Sequence, residues 1–160
     1  MAIKVGDRVP NGTFIVMTAD GPKPKTTDEL FKGKKVVLFA VPGAFTPTCH
    51  RNHLPGFVKH AAAIKAKGID AIAVTGVNDV FVMDAWKKAS GGDAIEFLAD
   101  GSGNWAKAVG LTADLIERGL GVRSQRYAMV VDDGIVKTLN IEDAPGKAEI
   151  SGADNILKGL

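Results

Sequence analysis

Val36-Val37-Leu38-Phe39-Ala40-Val41 is an unbroken apolar run of strand length. A strand with no polar face has no side to turn to water, so both of its faces need covering by other elements. Ile69 to Val74 is a second such run, and Ile95 to Leu98 a third. Between them lie stretches of helical length and spacing. Strand–helix–strand alternation with buried strands implies an α/β fold, a central mixed β-sheet flanked by helices on both faces.

The flanking segments fit this plan. The first 30 residues read as short strands and turns, with Asp20-Gly21-Pro22 as a breaker. Thr26 and Glu29 have the spacing of a capping box ahead of a short helix that Gly33 stops. Pro47 to Lys67 reads as helix, with Leu54, Phe57, Val58, Ala61 and Ala62 as its apolar stripe. Pro55 lacks the N–H that the carbonyl of Arg51 would accept, so a kink is expected there. Asn78 or Asp79 caps the next helix, whose expected buried face carries Phe81, Val82, Ala85 and Trp86. Asn104 to Val109 is a short helix. Tyr127 to Val131 and Ile135 to Leu139 form a hairpin around Asp132-Asp133-Gly134. Ser151 to Leu160 closes the chain as a helix.

The 160 residues fit one domain, residues 1–160. With 46% hydrophobic and 24% charged residues, the chain can bury a core without metal or disulfide staples. Its formal net charge is +2, with basic and acidic residues interspersed, which argues against nucleic acid as a partner. The start, MAIKVGDRVP, lacks the apolar region of a signal peptide, and no apolar run has the length to span a bilayer. One cysteine excludes a disulfide within the chain and suits a reducing, cytoplasmic setting.

That cysteine stands in Val41-Pro42-Gly43-Ala44-Phe45-Thr46-Pro47-Thr48-Cys49, where a buried strand ends and a helix opens. Thr46 suits the N-cap and Pro47 the first helical position, which makes Cys49 the third helical residue. A thiolate there faces unpaired backbone N–H groups and the positive end of the helix dipole. The Thr46 hydroxyl is placed to donate to it. Free cysteine is also a common core residue, and that reading stands against the chemical one. Ionisation alone is a weak device: turning a free thiol wholly into thiolate at neutral pH gains only about 30-fold, roughly 2 kcal/mol. Some further group must polarise the substrate.

Pro42-x-x-x-Thr46-x-x-Cys49 resembles the active-site motif of peroxiredoxins. PGAFTPTC followed by HLPGF is similar to their type-II, or type-five, branch. The likeness continues through GVNDVFVMDAW, DGSGNWAKAVGL and RSQRYAMVVDDGIVKTLNIE, nearly the whole chain. It implies a thioredoxin-like fold with an N-terminal strand extension and a thiol-dependent peroxidase. By that resemblance Cys49 attacks the peroxide and becomes a sulfenic acid, Thr46 hydrogen-bonds sulfur and peroxide, and Pro42 shields the pocket from water. The resemblance also selects Arg126 as the polarising cation; by itself the sequence does not distinguish it from Arg123. Members of this branch often carry a second cysteine, at places that fall near Val74 and Ser151 here. This chain resembles the one-cysteine members, recycled by an external thiol: glutathione, glutaredoxin or thioredoxin. A homodimer is also implied, with Phe45 and Phe81 near the rim.

Other signals point elsewhere on paper. Gly101-x-Gly103-x-x-Ala106 follows a strand and opens a helix like a dinucleotide loop, but it lies on the third strand–helix unit and reads as a tight turn. Cys49, His50, His53 and His60 lack the second cluster that a structural metal needs, so neither a metal nor an organic cofactor is expected. His53 is expected near the pocket and His50 facing solvent. Trp86 and Trp105 read as core or interface. Two alternatives stay open beside the peroxidase: a glutaredoxin-like thiol transferase and a non-catalytic redox sensor.

Overall fold

The structure is a computed structural model and describes residues 1–144 and 146–160. In chain order its elements are β1 (Thr13–Thr18), β2 (Gly21–Thr26), α1 (Thr27–Phe31), β3 (Lys35–Val41), a π-helical turn (Cys49–His53), α2 (Leu54–Ala66), β4 (Ala71–Gly76), α3 (Val80–Ser90), β5 (Glu96–Ala99), α4 (Asn104–Ala108), β6 (Thr112–Leu115), β7 (Gly121–Ser124), β8 (Tyr127–Asp132), β9 (Ile135–Ile141) and α5 (Ala153–Lys158). The main sheet runs β2-β1-β5-β4-β3-β8-β9. β3, β4 and β5 are parallel, while β8, β9, β1 and β2 join antiparallel, which gives the mixed sheet expected.

The apolar run of β3 lies at the centre, paired on both edges. Val37, Phe39 and Val41 face α2, α3 and α5; Val36, Leu38 and Ala40 face α1 and α4. Phe39 stacks on Phe57 of α2 with ring centroids 4.0 Å apart. Such a side chain, fully buried, contributes roughly 1.5–3 kcal/mol, so this stack ties the helix that follows Cys49 firmly to the sheet. β2 carries Pro22 and Pro24 and lies at the sheet edge, where a missing N–H leaves no central ladder broken.

Local signals were realised closely. The Thr26–Glu29 capping box is complete. Asp79 caps α3 by accepting from the Val82 N–H. Asp133 and Gly134 both take positive φ, 48° and 82°, as a two-residue hairpin turn requires. The GxG segment is a tight turn, and the Asp100 carboxylate takes the Trp105 and Ala106 N–H groups at the start of α4.

Other expectations are corrected. α3 buries Val80, Met83 and Trp86 rather than Phe81, Val82 and Ala85; the Asp79 cap sets the helix phase, and Phe81 is left 66% exposed. On α2 the buried stripe continues through Ile64, and Ala62 is exposed. The second strand begins at Ala71, because Asp70 first bonds Lys35 through both its N–H and its carboxylate. The interruption before Pro55 takes the form of the π-helical turn, in which the Leu54 N–H reaches back five residues to the Cys49 carbonyl. The β6–β7 ribbon was not foreseen.

Candidate active site

β3 delivers Pro42 to the end of the sheet, and the helix returns from Pro47. The connection is bent tightly, with Phe45 at φ 63°, a strained value for a bulky side chain. Side-chain bonds hold it. The Ala44 N–H donates to Asn78 Oδ1 at 2.9 Å, the Thr46 hydroxyl reaches the Gly43 carbonyl at 2.7 Å, and Arg123 Nη1 donates to the Pro42 carbonyl at 3.2 Å. The Thr46 carbonyl accepts the His50 N–H at 2.8 Å, as an N-cap should. Its hydroxyl does not cap the backbone as Thr46's sequence position suggests; it lies 2.9 Å from Cys49 Sγ. It has one hydrogen for two acceptors. With a thiol present, S–H can donate to the oxygen and O–H to Gly43; with a thiolate, O–H turns to the sulfur.

Arg126 approaches from the other side. Antiparallel pairing of β3 with β8 sets Ala40 opposite Tyr127, which brings Arg126 beside the end of β3. Its Nη2 lies 3.0 Å from Cys49 Sγ, although the residues are 77 positions apart. Its Nη1 lies 3.0 Å from His53 Nδ1. His53 Nε2 is 3.0 Å from the Ser151 carbonyl, which can only accept. The imidazole hydrogen therefore sits on Nε2, and Nδ1 presents a lone pair to the guanidinium. Ser151 is held in turn by Glu142, whose Oε2 accepts from its N–H and its hydroxyl. The sulfur, Arg126 and His53 are all buried.

Burial first, and then the Arg126 charge, push the His53 pKa from 6.5 to about 3, against a raising contribution from Ser151. Neutral His53 has a consequence for stability. Between pH 6.5 and about 3 the unfolded chain holds a proton that the native one refuses, so stability rises with pH across this window. Lowering the pH from 6.5 to 4.5 should remove on the order of 2–3 kcal/mol through this group. Urea unfolding at the two pH values should show a smaller acid loss in His53→Gln than in the parent.

His53 thus lies at the pocket, as expected. His50 does not face solvent: it is half-buried, accepts from Trp86 Nε1 at 3.1 Å and leans against Phe45. His60 pairs with Asp154. Among the described residues, no three His, Cys, Asp or Glu side chains gather as metal ligands. Among the described residues, too, no helix is long and apolar enough to cross a membrane. Sequence reasoning missed Arg123, Asn78 and the Ser151–Glu142 support, and no local spacing marks them.

The sequence matches the Redoxin family over residues 4–157. Peroxiredoxin-2E-2, chloroplastic, of Oryza sativa subsp. japonica is 51% identical, over 99% of this chain and 72% of that protein. Peroxiredoxin-2C of the same plant is 48% identical, over 99% and 98%. The crystal structure of reduced Prx3 from Vibrio vulnificus in complex with hydrogen peroxide is 51% identical, covers 98% of each chain and superposes with a TM-score of 0.94. Matches of this identity span nearly the whole chain, and the chain accordingly belongs to the type-II peroxiredoxins, thiol-dependent peroxidases of thioredoxin-like fold, as a member with a single cysteine.

Proposed function

We propose that Cys49 is the nucleophile that reduces hydrogen peroxide and alkyl hydroperoxides, with Thr46, Arg126 and Pro42 as its active-site partners. The observation that carries this reading is the convergence of Thr46 Oγ1 and Arg126 Nη2 on one buried sulfur, at 2.9 and 3.0 Å. Both groups can donate a hydrogen bond to the sulfur, the guanidinium a charged one. The thiolate attacks the hydroxyl oxygen of the peroxide. The S–O bond forms as O–O breaks, sulfur is oxidised to sulfenic acid, and the departing oxygen leaves as hydroxide or alkoxide and takes a proton from solvent. Arg126 and the Thr46 hydroxyl are in place to stabilise charge moving from sulfur to oxygen. Pro42 is buried and has no N–H, which suits the shielding role assigned to it, since it presents no donor of its own.

Recycling falls to an external thiol, because the chain holds no second cysteine. One thiol condenses with the sulfenic acid, releasing water and forming a mixed disulfide. A second thiolate attacks that disulfide and restores Cys49. Glutathione, glutaredoxin and thioredoxin all carry this chemistry. Pairing of two copies is supported by Phe45 and Phe81, which remain 46% and 66% exposed.

Mixing the reduced protein with excess peroxide and no thiol tests the cycle. It should consume about one equivalent rapidly, gain one oxygen by intact mass and then proceed slowly to sulfinic acid; where two chains instead close a Cys49–Cys49 disulfide, they share one peroxide and release water. Added thiol, supplied before that stage, should restore turnover. Sustained turnover with no thiol present would overturn the mechanism.

A further inference from the structure

Gly43 is the residue between the buried Pro42 and the loop that carries Thr46, and its φ is not positive. Its backbone conformation is therefore open to any residue, and another reason must keep a side chain out. A Cβ placed there would lie 2.7 Å from Arg123 Nη1 and 3.0 Å from Thr46 Cγ2. The guanidinium of Arg123 thus stands across one glycine from the Thr46 side chain. It is fastened on two sides: Nε donates to the Leu120 carbonyl at 2.7 Å and Nη1 to the Pro42 carbonyl at 3.2 Å. It bridges the turn before β7 to the backbone beneath the active site.

We infer that Arg123 is a positioning residue for peroxide reduction, acting through Pro42 and Gly43 on Thr46. The Gly43 carbonyl is the second acceptor of the Thr46 hydroxyl, 2.7 Å away. Where Arg123 holds Pro42–Gly43 thereby sets where Thr46 Oγ1 stands relative to Cys49 Sγ. The two arginines divide the work: Arg126 bonds the sulfur, and Arg123 bonds backbone carbonyls, one of them on the segment that aims Thr46. A single ammonium cannot reproduce this, because one nitrogen replaces the separate Nε and Nη1 donors that span the Leu120 and Pro42 carbonyls.

The inference rests on Cys49 as nucleophile and on Thr46 as its partner. Second-order peroxide rates measured by stopped flow on four variants test it: Arg123→Ala, Arg123→Lys, Gly43→Ala and the Arg123→Ala/Gly43→Ala double. Arg123→Ala should slow the reaction on the order of tenfold, and Arg123→Lys by less, because one carbonyl is still held. Gly43→Ala should slow the parent on the order of tenfold or more, through collision with the guanidinium. The same substitution should have a clearly smaller effect once Arg123 is Ala, because the closer of the two crowding atoms is gone and only the 3.0 Å approach to Thr46 Cγ2 remains, which a shift of a few tenths of an ångström relieves. A residue that only supported the fold would leave the two effects multiplicative. Unchanged rates in both Arg123 variants, or an equal Gly43→Ala effect in both backgrounds, would overturn the inference. Should Arg123→Ala fail to fold, Arg123→Lys alone and paired with Gly43→Ala supplies the same comparison. Cys49→Ser, run alongside, separates the readings: activity in that variant sinks the nucleophile assignment, whereas inactive Cys49→Ser with fast Arg123 variants sinks only this one.

Discussion

Replacing Cys49 with Ser should reduce peroxide consumption to the uncatalysed background while leaving the fold intact. The exchange keeps the shape nearly constant and puts a hydroxyl between Thr46 Oγ1 and Arg126 Nη2, both able to bond it. The site therefore survives as a structure. What is lost is the proposed nucleophile: a serine hydroxyl is not ionised at neutral pH, among the described residues no side chain in the site is placed as a base for it, and oxygen lacks the sulfur's route to a stable sulfenic acid. His53 does not serve as that base, since its Nδ1 lone pair already faces Arg126 and its Nε2 hydrogen faces Ser151. Far-UV circular dichroism and thermal melting should match the parent, and a peroxide assay with excess dithiothreitol should match buffer alone. Measurable turnover above that background would remove Cys49 from the reaction.

Arg126→Lys should lower the second-order rate with hydrogen peroxide by about 100- to 1000-fold, the effect of deleting one well-placed charge-stabilising donor. The change preserves the charge and removes the geometry. Nη1 and Nη2 of the native residue reach His53 and Cys49 simultaneously, and a lysine ammonium presents its donors from a single atom. If the ammonium turns to the sulfur, His53 Nδ1 loses its donor inside the protein, which costs roughly 1–3 kcal/mol. If it turns to His53, the peroxide loses its cation. Stopped-flow competition against a reporter peroxidase measures the rate directly. A rate within a factor of two of the parent would show that charge alone suffices and that the fork plays no part.

How far these features are legible in the sequence follows from how far apart their parts lie. Thr46 and Cys49 are separated by one helical turn, so their meeting is a matter of local geometry. The capping box and the Asp133-Gly134 turn are local in the same way, and all were readable. Arg126 is brought to the sulfur by the pairing of β3 with β8, which no spacing announces; only resemblance picked it out. Arg123 is hidden in a similar way: it lies on the β6–β7 ribbon, outside the main sheet, and its partner Pro42 lies 81 positions upstream. The face of α3 was misread for a smaller reason. Phe81 and Trp86 share no helical face, and the phase follows from the Asp79 cap, which makes Val80 the first helical residue and puts Met83 and Trp86 in line with it.

Trp86 and Trp105 divide between the two cores. Trp105 sits on the α1 side of the sheet, with its indole N–H bonded to the buried Tyr127 hydroxyl. Trp86 sits on the opposite side, and its N–H bonds His50, the neighbour of Cys49 on the π-helical turn. Anything that loosens that turn when the sulfur changes oxidation state frees one indole and leaves the other untouched. Of the two tryptophans, one is thus hydrogen-bonded to the turn that carries Cys49 and the other is bonded to Tyr127 on the far side of the sheet, so a difference in their fluorescence response to peroxide should separate a change at that turn from a change in the whole fold.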